Sequence, residues 1–411
     1  MKKPFSGKGL TLLLIGLSVT NPFAFHIFLP SLPGLTETLG ASAATAQLTV
    51  SIYVATFAFA QLGYGPLSDR FGRRRVILTG IAIYVIAPLY CAHADTIEAL
   101  VVGRALQAIG GCAGLMFARV IARDLFERNK AASVIGFVTM VTSLVTAAAP
   151  AIGGYLDVWF GWQASFWVTS AYGLVVFSCC FLWLPETRPD QPARGILQTF
   201  ADGATLVRSQ VFVGHALHGA CTLSCWYAVL TGLPYVMVEV LDQPTTAYGF
   251  YYPFLAIGYM LGNLITSRVA STWGVERLIR VGIGFALVPT VFVLTWNLYG
   301  DPSPLALFLP FAVIVLGHGM SQPASFSLAV GIRPELAGSA AGIMGFGQWL
   351  IAAVTTQALG MVLSDSVWPV IWFVVGFSIL SAISSFYGFR GEQNAGECQH
   401  PSTTRTENNL K

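Results

Sequence analysis

Few residues of this chain are able to do chemistry, and the informative ones lie inside long apolar runs: Arg104, His26, His215, His218, His318, Gln107, Asn263, Gln348 and Gln357. Polar groups are costly in hydrocarbon, so each is a functional candidate by default. Together they offer proton exchange at imidazole, one fixed cation and neutral hydrogen bonding. The 19 Asp and Glu do not join them; all lie in loops or near the ends of the runs, Glu98 and Glu239 coming closest to the interior. Hydrolysis has no foothold, because neither a His-Glu-x-x-His pattern nor a pair of embedded acids occurs. No Gly-x-x-x-x-Gly-Lys is present to hold a nucleotide. His215 and His218 are three apart and share a helix face, but no carboxylate or thiolate completes a ligand set, so neither a metal nor a cofactor is expected. Six of the 7 Cys fall in apolar runs and read as packing residues, while Cys398 sits in a polar tail.

The elements that must position these residues follow from composition. Of 411 residues, 55% are hydrophobic and 10% charged, and the mean hydropathy is +0.67. A soluble domain carries about 25% charged residues, so this chain is expected to live in a lipid bilayer. A net charge of +3 is too small to point to nucleic acid. Twelve apolar runs, at 10–32, 46–67, 76–92, 97–121, 131–154, 164–184, 211–238, 247–268, 278–298, 305–330, 337–361 and 368–388, each approach the length that crosses the membrane. They are apolar all round, which fits helices rather than barrel strands. The first follows Lys2, Lys3 and Lys8 without a convincing cleavage site and is read as an uncleaved helix 1.

If the spans alternate, all but one of the 22 Lys and Arg fall on one side, Arg104 being the exception. Cytoplasmic loops retain Lys and Arg, so both termini are expected in the cytoplasm. Trp159, Trp162, Trp296 and Trp368 would then mark the outer boundary and Trp183 and Trp273 the inner one. The polar interval after helix 6 divides the chain into 1–185, a central loop 186–210, a second half 211–390 and a polar tail 391–411; loop and tail are too short for a signalling module. Gly72 to Arg75 after helix 2 is echoed by Gly274 to Arg277 after helix 8. Duplicated halves commonly build a site at their interface.

Three motifs refine this. Gly65 to Arg75 reads Gly-Pro-Leu-Ser-Asp-Arg-Phe-Gly-Arg-Arg-Arg, with Asp69 placed to face the positive end of helix 3. It resembles the signature between helices 2 and 3 of the major facilitator superfamily. In helix 4, Arg104 to Gly110 resembles that superfamily's Arg-x-x-Gln-Gly-x-Gly, with Ala108 where Gly is usual. In helix 5, Ala149, Pro150, Ala151, Ile152, Gly153, Gly154 resembles the Gly-Pro-x-x-Gly-Gly motif of its drug:proton antiporters, Ala149 replacing the first Gly. Leu29 to Pro33, Arg123 to Leu125 and Leu184 to Thr187 are similar to segments of the Bcr/CflA subfamily of multidrug and chloramphenicol exporters. The resemblance covers about residues 10 to 390. It implies an all-α fold of twelve transmembrane helices in two six-helix halves, a monomer in the bacterial inner membrane, and no enzymatic activity. It further implies efflux of small amphipathic compounds, of chloramphenicol or bicyclomycin type, by alternating access with protons as coupling ion. A self-made metabolite such as a siderophore is the alternative cargo. Asp69, Arg73, Arg123 and Asp124 are implied to form a cytoplasmic cluster that locks one conformation.

One departure stands out. Members of that subfamily typically carry an Asp in helix 1, four residues before the first Pro of Leu-Pro-x-Leu-Pro; this chain has His26 there. His26 and Arg104 lie about 9 and 10 Å from the outer ends of their spans, so they are expected to share a depth and meet in a central cavity. There a neutral imidazole is a group for which a proton or a cationic substrate competes, and His26 is expected to take part of the coupling role. Gln107 and His318, flanked by Gly317 and Gly319, are expected beside the substrate. The cavity walls are expected from Tyr53, Phe57, Trp226, Tyr227, Asn263, Gln348 and Trp349, whose aromatics suit a planar amphipathic cargo. With Arg104 and no fixed anion, the pocket would favour neutral or anionic small molecules.

Overall fold

The computed structural model describes residues 7–126, 128–187, 205–333 and 336–399. Among these residues twelve long helices follow one another: α1 Gly7–His26, α2 Ala43–Phe71, α3 Arg73–Ala92, α4 Ile97–Leu125, α5 Arg128–Phe160, α6 Gln163–Trp183, α7 Gln210–Tyr235, α8 Thr245–Trp273, α9 Val275–Tyr299, α10 Pro304–Gly331, α11 Ala337–Val362 and α12 Trp368–Gln399. Ten are long and apolar enough to cross a membrane. The other two, α8 and α11, have matching lengths of 29 and 26 residues but carry Asn263 and the pair Gln348 and Gln357 on their inward faces.

Local sequence sets the ends. Ser42, Thr96, Ser209 and Ser303 each accept a hydrogen bond from the amide three residues on, capping α2, α4, α7 and α10. Helix 1 was expected to run to residue 32, but α1 stops at His26 and continues as a 3-10 turn, Leu29–Ser31. Pro30 lacks an amide hydrogen and its ring opposes the His26 carbonyl, so the α-helix cannot continue through it. A short helix, Gly34–Thr38, follows before α2. Beyond α7, Val236–Val240 forms a π-helical turn. The expected tail from residue 391 begins as helix, since α12 runs to Gln399.

Packing repeats with a period of six helices. α1 packs on α4, α5 and α6 as α7 packs on α10, α11 and α12; α2 meets α4 as α8 meets α10; α3 meets α4 and α6 as α9 meets α10 and α12. The two sets touch mainly through α2 with α11 and α5 with α8, again a symmetric pair. The repeated turns agree in detail: Gly72 (φ 90) joins α2 to α3 and Gly274 (φ 75) joins α8 to α9, with ψ near 150 in both, a region open essentially to glycine alone.

The outer belt is apolar, with side chains such as Phe250, Val288 and Trp159 at least 70% exposed, as lipid rather than water requires. Trp162, in the turn between α5 and α6, is buried against Phe166 at 6.0 Å between ring centroids.

Candidate functional site: a central cavity closed at one end

A cavity of about 480 Å³ lies between the two sets of helices, lined from α1, α4, α5, α7, α8, α10 and α11. Pro22 puts its ring on the cavity wall, and the turn of α1 that follows brings Phe25 and His26 to it. His26 Nδ1 sits 2.8 Å from the Pro22 carbonyl oxygen. A carbonyl only accepts, so the neutral ring carries its proton on Nδ1, and Nε2, which has no protein partner, is left as an acceptor.

The upper part of the cavity is aromatic. Phe25 lies 5.3 Å from Tyr227 and His26 lies 5.8 Å from Tyr252. Trp226 lies 6.3 Å from Tyr252, and Trp349 packs 5.7 Å from Tyr227. Below them the lining turns polar. Thr139, Thr142, Ser143 and Thr146 form a stripe on α5, and Tyr259 donates to Gln322 Oε1 at 3.0 Å. Asn263 lies one turn on from Tyr259. Arg119, an exposed residue of α4, is the one Lys or Arg among the lining residues. No carboxylate lines the cavity among the described residues.

The two ends of the cavity differ. Near the α1 end at His26, Tyr235 donates to the Leu32 carbonyl oxygen at 3.3 Å, and Gln357 of α11 accepts from Ser51 and donates to the Ala44 carbonyl oxygen at 2.7 and 3.2 Å. There α5 meets α8 backbone to backbone: a Cβ on Gly249 would fall against Ala151 Cα, 2.8 Å from its nitrogen, and one on Gly154 would fall 3.2 Å from Thr246 Cα. Gly153 does the same within the first set, where a Cβ would meet the Ile27 carbonyl, its carbon at 2.8 Å. The small residues Ala151, Gly153 and Gly154 of the α5 motif thus let three elements converge and shut this end. At the other end Arg119, Thr139 and Ser143 are exposed, whereas His26 is 8% exposed.

Of the residues expected from sequence, His26, His318, Trp226, Tyr227, Asn263 and Trp349 line the cavity. Arg104 does not, which corrects its expected meeting with His26. It is wholly enclosed, with Cζ 4.2 Å from the Tyr53 ring centroid and 4.7 Å from that of Phe28. Its nitrogens donate to Gln107 Oε1 at 2.6 Å, the Ala24 carbonyl at 3.2 Å and the Thr49 carbonyl at 3.5 Å. The guanidinium therefore clamps α4 to α1 and α2, and Gln107 serves it rather than a substrate. Tyr53, Phe57 and Gln348 stand one layer behind the wall. Tyr53 holds the cavity residue Asn21 through a 2.8 Å hydrogen bond, and Phe57 backs Trp349 at 4.8 Å. A Cβ on Gly219 would strike the Gln348 amide.

At the open end, Arg73 and Asp124, two of the four residues expected to cluster, form an ion pair. The side chains of Asp69 and Arg123 lie outside the described residues. Among the described side chains, Glu186 places a carboxylate at the start of α3, accepting from the Arg73 and Arg74 amides at 2.8 and 3.3 Å. Its negative charge suits a helix N-terminus. His215 and His218 lie in the core of the second set, Nδ1 of His215 facing Ser325 Oγ at 2.9 Å and Nδ1 of His218 facing the Ser381 carbonyl at 3.1 Å.

Comparison with known proteins agrees with this architecture. The profile of the Major Facilitator Superfamily matches residues 14–356. A bicyclomycin resistance protein homologue of Haemophilus influenzae is 25% identical over 90% of this chain and 93% of its own. A chloramphenicol resistance protein of Pseudomonas aeruginosa is 25% identical over 97% of this chain and 96% of its own. Among solved structures, a bacterial homologue of the human lysosomal transporter Spinster superposes with a TM-score of 0.71 at 15% identity, over 95% of this chain and 98% of that one.

Proposed function

The chain belongs to the Major Facilitator Superfamily, and from that premise we propose that it is a secondary efflux transporter of small amphipathic compounds rather than an enzyme. The observation that carries this reading is the cavity between two symmetry-related helix sets, shut at the α1 end and open at the other. Such a site alternates when the sets rock about their α2–α11 and α5–α8 contacts. The relatives bear the names of bicyclomycin and chloramphenicol resistance proteins, which supports drug efflux as the task.

The two sets, residues 1–185 and 211–390, act as the two moving halves, joined by the loop 186–210. The excess of Lys and Arg at the open end supports a multi-pass topology in the bacterial inner membrane with both termini cytoplasmic, so that the cavity faces inward. The protein works as a monomer, because one chain supplies the whole site. Cargo contacts come from the aromatic wall, the His26 Nε2 acceptor and Asn21, with Arg119 at the mouth favouring neutral or anionic molecules over organic cations. Protons are the coupling ion, exchanged at imidazole since no carboxylate lines the cavity among the described residues.

Proteoliposomes loaded with chloramphenicol, bicyclomycin, salicylate or tetraphenylphosphonium, with and without a proton gradient, test the reading. Gradient-stimulated movement of the first three, chemically unchanged, is expected. Preference for tetraphenylphosphonium, or no movement of any, would overturn it.

A further inference from the structure

The second half contains a feature that no cargo contact explains. His318 of α10 lines the cavity, 3% exposed, and neither of its ring nitrogens has a protein partner. Behind it, on α7, which packs against α10, His218 is wholly enclosed. Its Nδ1 faces Ser381, through the carbonyl at 3.1 Å and the hydroxyl at 3.0 Å, while its Nε2 is unpartnered. One turn nearer the start of α7, His215 meets Ser325 Oγ of α10 at 2.9 Å, two turns along that helix from His318. Three imidazoles thus run from the cavity wall towards the open end, inside the core of one half.

Two of these rings, His318 and His218, carry unsatisfied nitrogens, and such buried imidazoles are expensive to keep unless they serve a purpose. Hydrocarbon side chains would pack the same space without that cost. We propose that His318, His218 and His215 form a proton-conducting row, separate from the cargo route, through which the coupling proton passes between the cavity and the cytoplasmic end of the second half. This rests on the exporter reading above. The step balances simply. A proton binds one nitrogen of His318 while the other nitrogen releases one towards His218, and the same exchange carries a proton on to His215 and out. His218 takes its proton at Nε2 and releases one from Nδ1 to the Ser381 hydroxyl at 3.0 Å, which passes one of its own on; each ring ends neutral, one proton has moved, and only N–H bonds and the O–H bonds of the relaying hydroxyl and waters have exchanged. Water standing at the unpartnered nitrogens completes the links, because these are the polar positions a buried water needs.

The groups around the row fit a path for a cation. Cys221 and Cys225 lie on α7 itself, Gln348 approaches from α11 and Ser381 and Ser385 from α12. Tyr227 and Tyr252 bound the cavity side. At the far end Phe389 lies 5.4 Å from the His215 ring, and Arg280, paired with Glu276, lies 5.3 Å over the same phenylalanine.

The full-length protein in proteoliposomes, with radiolabelled chloramphenicol as probe, tests the row. Exchange of chloramphenicol at equal concentrations needs no net proton movement, whereas accumulation against a gradient does. His218→Asn keeps a donor for the Ser381 carbonyl and removes Nε2. It is expected to exchange within twofold of wild type while gradient-driven accumulation falls at least tenfold, and to lose the proton release that chloramphenicol triggers in weak buffer. His215→Asn, one turn farther from the cargo, is expected to behave alike. Driven accumulation within twofold of wild type in both variants overturns the row. Loss of exchange together with drive in both assigns the histidines to packing and overturns it as well. A wild-type protein that exchanges chloramphenicol without responding to the gradient would instead refute proton coupling in the exporter reading itself.

Discussion

Replacing Gly249 by alanine should unseal the closed end of the cavity. The new Cβ would press on Ala151 Cα and lie 2.8 Å from its nitrogen and 3.1 Å from its Cβ, where ordinary contacts begin near 3.4 Å. All of these atoms belong to backbone or to a methyl stub, so no side chain can swing aside, and α5 and α8 must part by roughly 1 Å. Overpacking of this kind costs about 1–3 kcal/mol. The cost falls on the sealed state, in which the helices touch, and not on a state in which they have separated. Taking about 2 kcal/mol, the equilibrium shifts towards the outward-open form by about thirtyfold. The assay is labelling of an Ala256→Cys reporter, on the cavity wall one turn from Tyr252, by an impermeant maleimide added to the outside of intact cells. Gly284→Ala is the control, since nothing lies within 4 Å of the Cβ it would add. Labelling should rise steeply for Gly249→Ala and stay at the parental rate for Gly284→Ala. Equal rates in two folded variants would refute the view that glycine-mediated contact holds this end shut.

Other perturbations separate structural from functional roles. Arg104→Leu takes the Arg104 donor from Gln107 Oε1 and the Ala24 carbonyl and removes the aromatic-caged cation, a loss of about 1–3 kcal/mol that should appear as a lower thermal transition in detergent. Arg104→Lys should keep chloramphenicol binding in its folded fraction; full stability with lost binding would return Arg104 to the cargo site. Glu186→Ala uncaps α3 and should cost about 1–2 kcal/mol in the same measurement, with no change in cargo preference. Arg119→Gln should lower salicylate transport several-fold and leave chloramphenicol unaffected, checked by parallel uptake. His26→Gln should alter the dependence of chloramphenicol efflux on pH, and an unaltered profile with full activity would exclude His26 from coupling.

The spans were legible because about twenty apolar residues in a row have one physical use. The repeat was legible too, since Gly72 and Gly274 occupy a backbone region that other residues avoid. The site was legible in part. Depth can be counted along a helix, so His26, His318 and Trp226 were found, but the direction a residue faces is set by neighbouring helices. Arg104 shares the depth of the cavity yet points at Tyr53 and Phe28. Arg119, close to the end of α4, read as an interfacial charge and turns out to line the cavity. The stripe of Thr139, Thr142, Ser143 and Thr146 had helical spacing, but hydroxyls in membrane helices commonly bond their own backbone. Thr142 and Thr146 do so here, to the carbonyls of Val138 and Thr142. Tyr252 and Tyr259 shared a face with Asn263 and were overlooked for the same want of direction.

The enclosure of Arg104 bears on how the protein is made. An arginine within a span opposes insertion, by up to about 2.5–3.5 kcal/mol at the centre, so α4 is a reluctant segment when it leaves the translocon. Its carbonyl acceptors on Ala24 and Thr49, and the rings of Phe28 and Tyr53, belong to helices or turns synthesised before it. The ribosome therefore delivers the receptacle first and the cation afterwards, and α4 can enter the bilayer by docking on a hairpin that already waits there.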